Sequence, residues 1–173
     1  MQIDPGETVR AREAGRYNAA MPTPQPLERV RHPSTRAERA LAWVLRVNGA
    51  VTLSAIVAVF MPLGWMDAVH ARLGMGPSPG GPMFEYLART VSALYAIHGG
   101  LCFLLSTDVR RFGPVITYVA CIELAFAGVL LWIDVKAGLP AAWVLVEAPA
   151  VILVSGVMLG LRVAARRGER AGS

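Results

Sequence analysis

Charge is scarce in this 173-residue chain: 17% of its residues are Asp, Glu, Lys or Arg, against 54% that are hydrophobic. A soluble domain carries about 25% charged residues. With a mean hydropathy of +0.46, the composition excludes an ordinary cytosolic enzyme or a soluble binding module. Lysine is nearly missing, Lys136 being the one in the chain, while Arg, Ala, Gly, Pro and Val abound. That usage reflects GC-rich coding and points to a bacterial source. The net charge of +5 is unevenly spread, so nucleic acid is not an expected partner.

Other shortages exclude specific chemistries. The two cysteines, Cys102 and Cys121, lie in apolar runs without C-x-x-C spacing. This argues against a disulfide framework or thiol redox motif and predicts two buried small hydrophobes. The three histidines, His32, His70 and His98, form no H-x-x-H or E-x-x-H repeat, so no metal site is expected. No G-x-S-x-G, Walker or dinucleotide fingerprint occurs, and no cofactor is predicted. Nor does an apolar leader open the chain, whose first apolar run begins near Leu41.

What the chain has is long apolar runs. Residues 1–40 form a polar tail with seven arginines, five acids and the stretch Met21-Pro22-Thr23-Pro24-Gln25-Pro26. Such a segment buries too little apolar surface to offset ordering, so it is expected to be disordered or to lie along a partner. Thr35-Arg36-Ala37-Glu38 has capping-box spacing and predicts a helix start near residue 35. Four spans follow at about 41–61, 84–106, 112–133 and 141–162, each long enough for a ~30 Å hydrocarbon core. Short loops between the later spans predict an up-down four-helix bundle over 41–165, followed by a basic end at 166–173. The longer first loop holds Trp65, Met66, Val69 and Leu73 at helical spacing, a pattern for a short helix in the periplasmic interface.

Arginine placement predicts orientation. Arg29, Arg31, Arg36 and Arg39 flank the first span, Arg110 and Arg111 sit between the second and third, and Arg162, Arg166, Arg167 and Arg170 close the chain. The opposite face offers Arg72 and Lys136. Both termini are therefore expected in the cytoplasm of a multi-pass protein of the bacterial inner membrane, in contact with lipid. Trp65, Tyr86, Trp132 and Trp143 mark the far boundary and Trp43 the near one.

Charges at membrane depth are costly and single themselves out. By position along each span they fall in two layers. The outer layer predicts an ion pair of Arg89 with Glu147, supported by Glu85 one turn before Arg89. The deeper layer holds Asn48, His98 and Glu123, with Arg46 nearer the cytoplasmic edge. Nine residues separate Arg89 from His98, about 180° around one helix, so the two should face different neighbours. A polar contact is the plain reading of the deep layer; proton transfer or quinone binding at His98 and Glu123 is the functional one. For packing, Gly156 and Gly160 form a G-x-x-x-G in the fourth span and Gly99-Gly100 lies in the second. Pro149 predicts a kink in the fourth span.

Arg46-Val47-Asn48-Gly49, Glu85-Tyr86-Leu87-Ala88-Arg89-Thr90, and Ser92-Ala93-Leu94-Tyr95-Ala96 with His98-Gly99-Gly100 resemble small bacterial four-helix membrane proteins of loosely DoxX-like type. The resemblance implies the bundle over about residues 41–165. The leading functional expectation is a non-catalytic accessory or structural subunit of a larger bacterial energy-converting complex, respiratory or photosynthetic, with other integral membrane subunits as partners. The alternative is an independent DoxX-like protein in redox or quinone chemistry. A small proton-coupled carrier ranks last, because no two related halves with helices broken at the midplane are evident.

Overall fold

The computed structural model describes residues 34–76 and 78–171. The tail through residue 33, with its proline stretch, Arg29, Arg31 and His32, lies outside the described residues, as does the Arg170 side chain. Every regular element among the described residues is helical. In order these are α1 (Arg36–Leu53), α2 (Ile56–Phe60), α3 (Leu63–Arg72), α4 (Gly81–Ser106), α5 (Gly113–Ala137), α6 (Ala141–Val144) and α7 (Glu147–Ala171). Four stretches are long and apolar enough to cross a membrane: Arg36–Phe60, Gly81–Ser106, Gly113–Ala137 and Ala141–Gly168. The described residues are all-α and fit a multi-pass membrane protein.

Local chemistry sets the helix ends. Thr35 caps α1 with both arms of the capping box: its Oγ1 accepts from the Glu38 N–H at 3.2 Å, and Glu38 Oε2 accepts from the Thr35 N–H at 2.7 Å. Pro82 and Pro114 stand in the first turns of α4 and α5, where the missing N–H costs no helical bond. Gly138 ends α5 at φ +68°, the left-handed cap that glycine accepts without strain.

Two spans expected to be continuous are broken. The first is interrupted at Ser54–Ala55. Just before the break, Thr52 Oγ1 donates to the Asn48 carbonyl at 2.8 Å and Ser54 Oγ to the Val51 carbonyl at 2.6 Å. Such bonds to the preceding turn compete with the helical ladder. The fourth is interrupted at Leu145–Val146 rather than kinked at Pro149. Pro149 instead stands in the first turn of α7, where proline is tolerated. Both breaks lie toward the α3 side of their spans, away from the midplane, so they do not form a transporter-like pair.

The helices pack as α1 on α4 and α7, α5 on α7, and α2 on α4. α1 and α4 run antiparallel, since Glu38 meets Arg110 just beyond α4 while Gly49 meets Gly99. A Cβ placed on Gly99 would lie 2.5 Å from the Leu53 nitrogen and 2.7 Å from the Gly49 oxygen, so the two backbones are in direct contact. Close backbone approach of this kind supplies the van der Waals contact that holds helices together where lipid removes any hydrophobic drive between them. Leu41, Leu45, Cys102, Leu105, Ile116 and Met158 fill the space beside this contact and form one buried cluster.

Candidate functional site

The deep polar residues come together where four helices meet. His98 and Cys102 lie one turn apart on α4, Glu123 comes from α5, Asn48 from α1 and Ser155 from α7. His98 Nε2 is 2.8 Å from Glu123 Oε1. Asn48 Nδ2 reaches the same oxygen at 3.5 Å and Cys102 Sγ at 3.6 Å. Ser155 Oγ donates to the other carboxylate oxygen, Oε2, at 3.0 Å. Cys102 Sγ and His98 Nε2 are 3.5 Å apart. Cys102 and Ser155 are fully buried, whereas the His98 side chain keeps 29% of its exposure and Glu123 15%.

The Gly49–Gly99 contact makes this arrangement possible. It draws α1 onto α4, which carries the neighbouring Asn48 amide to Cys102. Glu123 then serves as a shared acceptor for three helices, each of its oxygens engaged. A carboxylate with an imidazole at 2.8 Å can hold a proton between them, and a partly exposed imidazole can offer a hydrogen bond outward. His98 Nε2, Cys102 Sγ and a Glu123 oxygen also lie within 4.8 Å of one another, a spacing compatible with metal ligation.

The outer layer differs from the expected one. Arg89 pairs with Glu85 at 2.8 Å, one turn away on α4. Its guanidinium also donates to the carbonyls of Val59 and Met61, the latter at 3.3 Å, at the end of α2. These carbonyls lack helical partners, and a cation there complements the helix dipole. Glu147 does not join the pair. It accepts from the Trp143 indole N–H across the α6–α7 break. Because the helix stops at Val144, Trp143 can turn its ring edge to the first residue of α7. Arg89 and His98 do face different neighbours, α2 and α5, as nine residues on one helix require.

The remaining residues divide plainly. Gly99 is a packing glycine, but Gly100 faces open space, as do Gly156 and Gly160. Arg46 donates to Ser106 Oγ at 3.5 Å. Cys121 is exposed rather than buried as expected, since it points away from the helix contacts that enclose Cys102. Arg162, counted by sequence among flanking cations, is buried: Gly113 leaves room for its guanidinium, and a Cβ there would lie 1.9 Å from Nη2. Among the described residues, Arg162 Nε and Asp134 Oδ2 are buried without a hydrogen-bond partner.

Sequence reasoning missed Cys102 and Ser155 in the deep cluster, and Gly49 as the contact of Gly99. The four-residue spacing of His98 and Cys102 was the available signal for the first. Ser155 and Gly49 had none, because neither residue type nor spacing tells which face of a span meets a neighbour. No protein-family model, no curated protein and no solved structure matches the chain.

Proposed function

We propose that this chain is a non-catalytic integral subunit of a larger bacterial energy-converting membrane complex, respiratory or photosynthetic in type. The observation that carries the reading is the face of α7 bearing Gly156 and Gly160. Both glycines are exposed, and a Cβ on either would meet nothing within 4 Å. A G-x-x-x-G surface permits close approach of a backbone, and none of the described residues supplies one here. Large apolar side chains such as Phe60, Ile97, Tyr118 and Leu153 are also exposed, as lipid or neighbouring subunits require.

In this reading the four spans form an up-down bundle in the inner membrane with both termini cytoplasmic. Arg36, Arg39, Arg110, Arg111, Arg166 and Arg167 stand at one end of the spans, and α3 lies in the opposite interface. Mild-detergent extraction of the tagged chain from its native membrane, followed by native sizing and mass spectrometry, tests the proposal. Stoichiometric recovery with a large pigment- or haem-bearing assembly is the expected result, with crosslinks from the α7 glycine face to another subunit. Recovery as a small lone species would overturn it.

A second reading has its own support. The partly exposed His98–Glu123 pair fits an independent DoxX-like protein that exchanges a hydrogen bond or proton with a quinone-like molecule arriving through the lipid. Replacing both residues by glutamine should then abolish quinone-dependent activity in membranes. Full retention of that activity would sink this alternative.

A further inference from the structure

We infer that His98, Cys102, Glu123 and Asn48 form a binding site for one zinc-class divalent metal ion within the helical unit. The inference does not depend on the subunit reading. It rests on three separations among these groups that match edges of a coordination tetrahedron, and on the His98, Cys102 and Glu123 ligand atoms all lying within 4.8 Å of one another.

Zinc bonds of about 2.3 Å to sulfur and about 2.0–2.1 Å to nitrogen or oxygen place tetrahedral ligand atoms about 3.3–3.6 Å apart. His98 Nε2 and Cys102 Sγ are 3.5 Å apart. The Asn48 amide stands 3.6 Å from Cys102 Sγ and 3.5 Å from Glu123 Oε1. The His98–Glu123 edge, at 2.8 Å, is a direct hydrogen bond and has to open by roughly half an ångström once an ion replaces the shared proton. Oxygen and nitrogen of an asparagine amide are interchangeable by a flip about its terminal bond, so Asn48 can present Oδ1 as the fourth ligand.

Helix geometry pre-sets half of the site. His98 and Cys102 are four apart on α4, which stacks their side chains on one face and makes the pair a chelate without further ordering. Ser155 Oγ holds Glu123 Oε2 from α7 and leaves Oε1 turned toward the ligands, the kind of outer contact that orients a coordinating carboxylate. The charge also balances. A divalent cation with one thiolate, one carboxylate, a neutral imidazole and a neutral amide sums to zero, which suits an environment where net charge is expensive. On binding, the thiol proton of Cys102 and the proton between His98 and Glu123 leave to solvent, and no electron is transferred.

Zinc rather than magnesium or calcium follows from the donor set, since thiolate and imidazole disfavour the hard cations. The test uses the full chain in detergent, stripped with a chelator, equilibrated with Zn2+ and desalted before metal analysis. About one zinc per chain is expected for the native sequence and for Cys121→Ser, whose thiol is outside the cluster. Cys102→Ser and His98→Gln should each weaken retention at least about tenfold. Co2+ substitution supplies a readout that needs no variant: the native chain should develop intense tetrahedral bands with a near-ultraviolet thiolate-to-metal transition. Lack of that spectrum, or zinc retained equally by Cys102→Ser and His98→Gln chains of native helicity, would overturn the site.

Discussion

The two ends of the helical unit are built differently. From the end where α1 starts and α7 finishes inward to the middle of the spans, Leu41, Leu45, Leu105, Ile116 and Met158 are buried and backbones touch at Gly49 and Gly99. At the other end, α2, α3 and α6 are short, none contains a buried residue, and polar groups close on backbone ends. The deep cluster sits where the packed part gives way to the open one. There a charge is satisfied by side chains from several helices; farther out, Arg89 is satisfied by Glu85 on its own helix and by carbonyls at the end of α2. Where helices touch, side chains can supply the partners; where a helix stops, its own carbonyls do.

Breaking the packed end should have the largest effect. Gly99→Ala is expected to destabilise the protein by about 3 kcal/mol, because the groups that meet the new Cβ are backbone and cannot turn aside. Gly100→Ala, one residue on and facing open space, should stay within about 0.5 kcal/mol. Thermal unfolding in detergent, followed by far-ultraviolet circular dichroism, checks the pair; equal midpoints would contradict the Gly49–Gly99 contact.

Glu123→Ala comes next, at about 2–3 kcal/mol, since it strips the acceptor shared by His98, Asn48 and Ser155. Glu123→Gln should recover more than half of that loss by keeping an acceptor for Ser155. If the two variants melt together, the carboxylate does not organise the cluster.

At the open end, Arg89→Met should cost about 1 kcal/mol overall, its pair with Glu85 being about a third exposed. Its mark should be local: amide exchange should accelerate over residues 56–72 and stay unchanged in α5. Uniform acceleration would show that the two ends are not separable. The smallest effect on stability is expected from Gly156→Ile, within about 0.5 kcal/mol, because none of the described residues lies within 4 Å of a Cβ there. If α7 docks on another subunit, the same change should release the chain from the complex during native sizing.

Much of the helical unit was legible in its residues. The capping box at Thr35 and the four apolar runs required no tertiary information, because helix length and hydropathy are local quantities. The breaks at Ser54–Ala55 and Leu145–Val146 are not legible in the residues, although Thr52 and Ser54 supply hydroxyls beside the first. A hydroxyl bends a helix only when the surrounding packing favours that bond over the regular ladder.

The polar residues show the same division. Sequence alone determined which charges stand deep within the apolar spans, and helical angle alone separated Arg89 from His98. It could not choose partners: Glu147 went to Trp143 rather than Arg89, and Cys102 and Ser155 joined Asn48, His98 and Glu123. Depth follows from counting along one helix. Partnership depends on how each helix is rotated and how closely it approaches its neighbours, as where the backbone contact of Gly49 with Gly99 brings α1 onto α4.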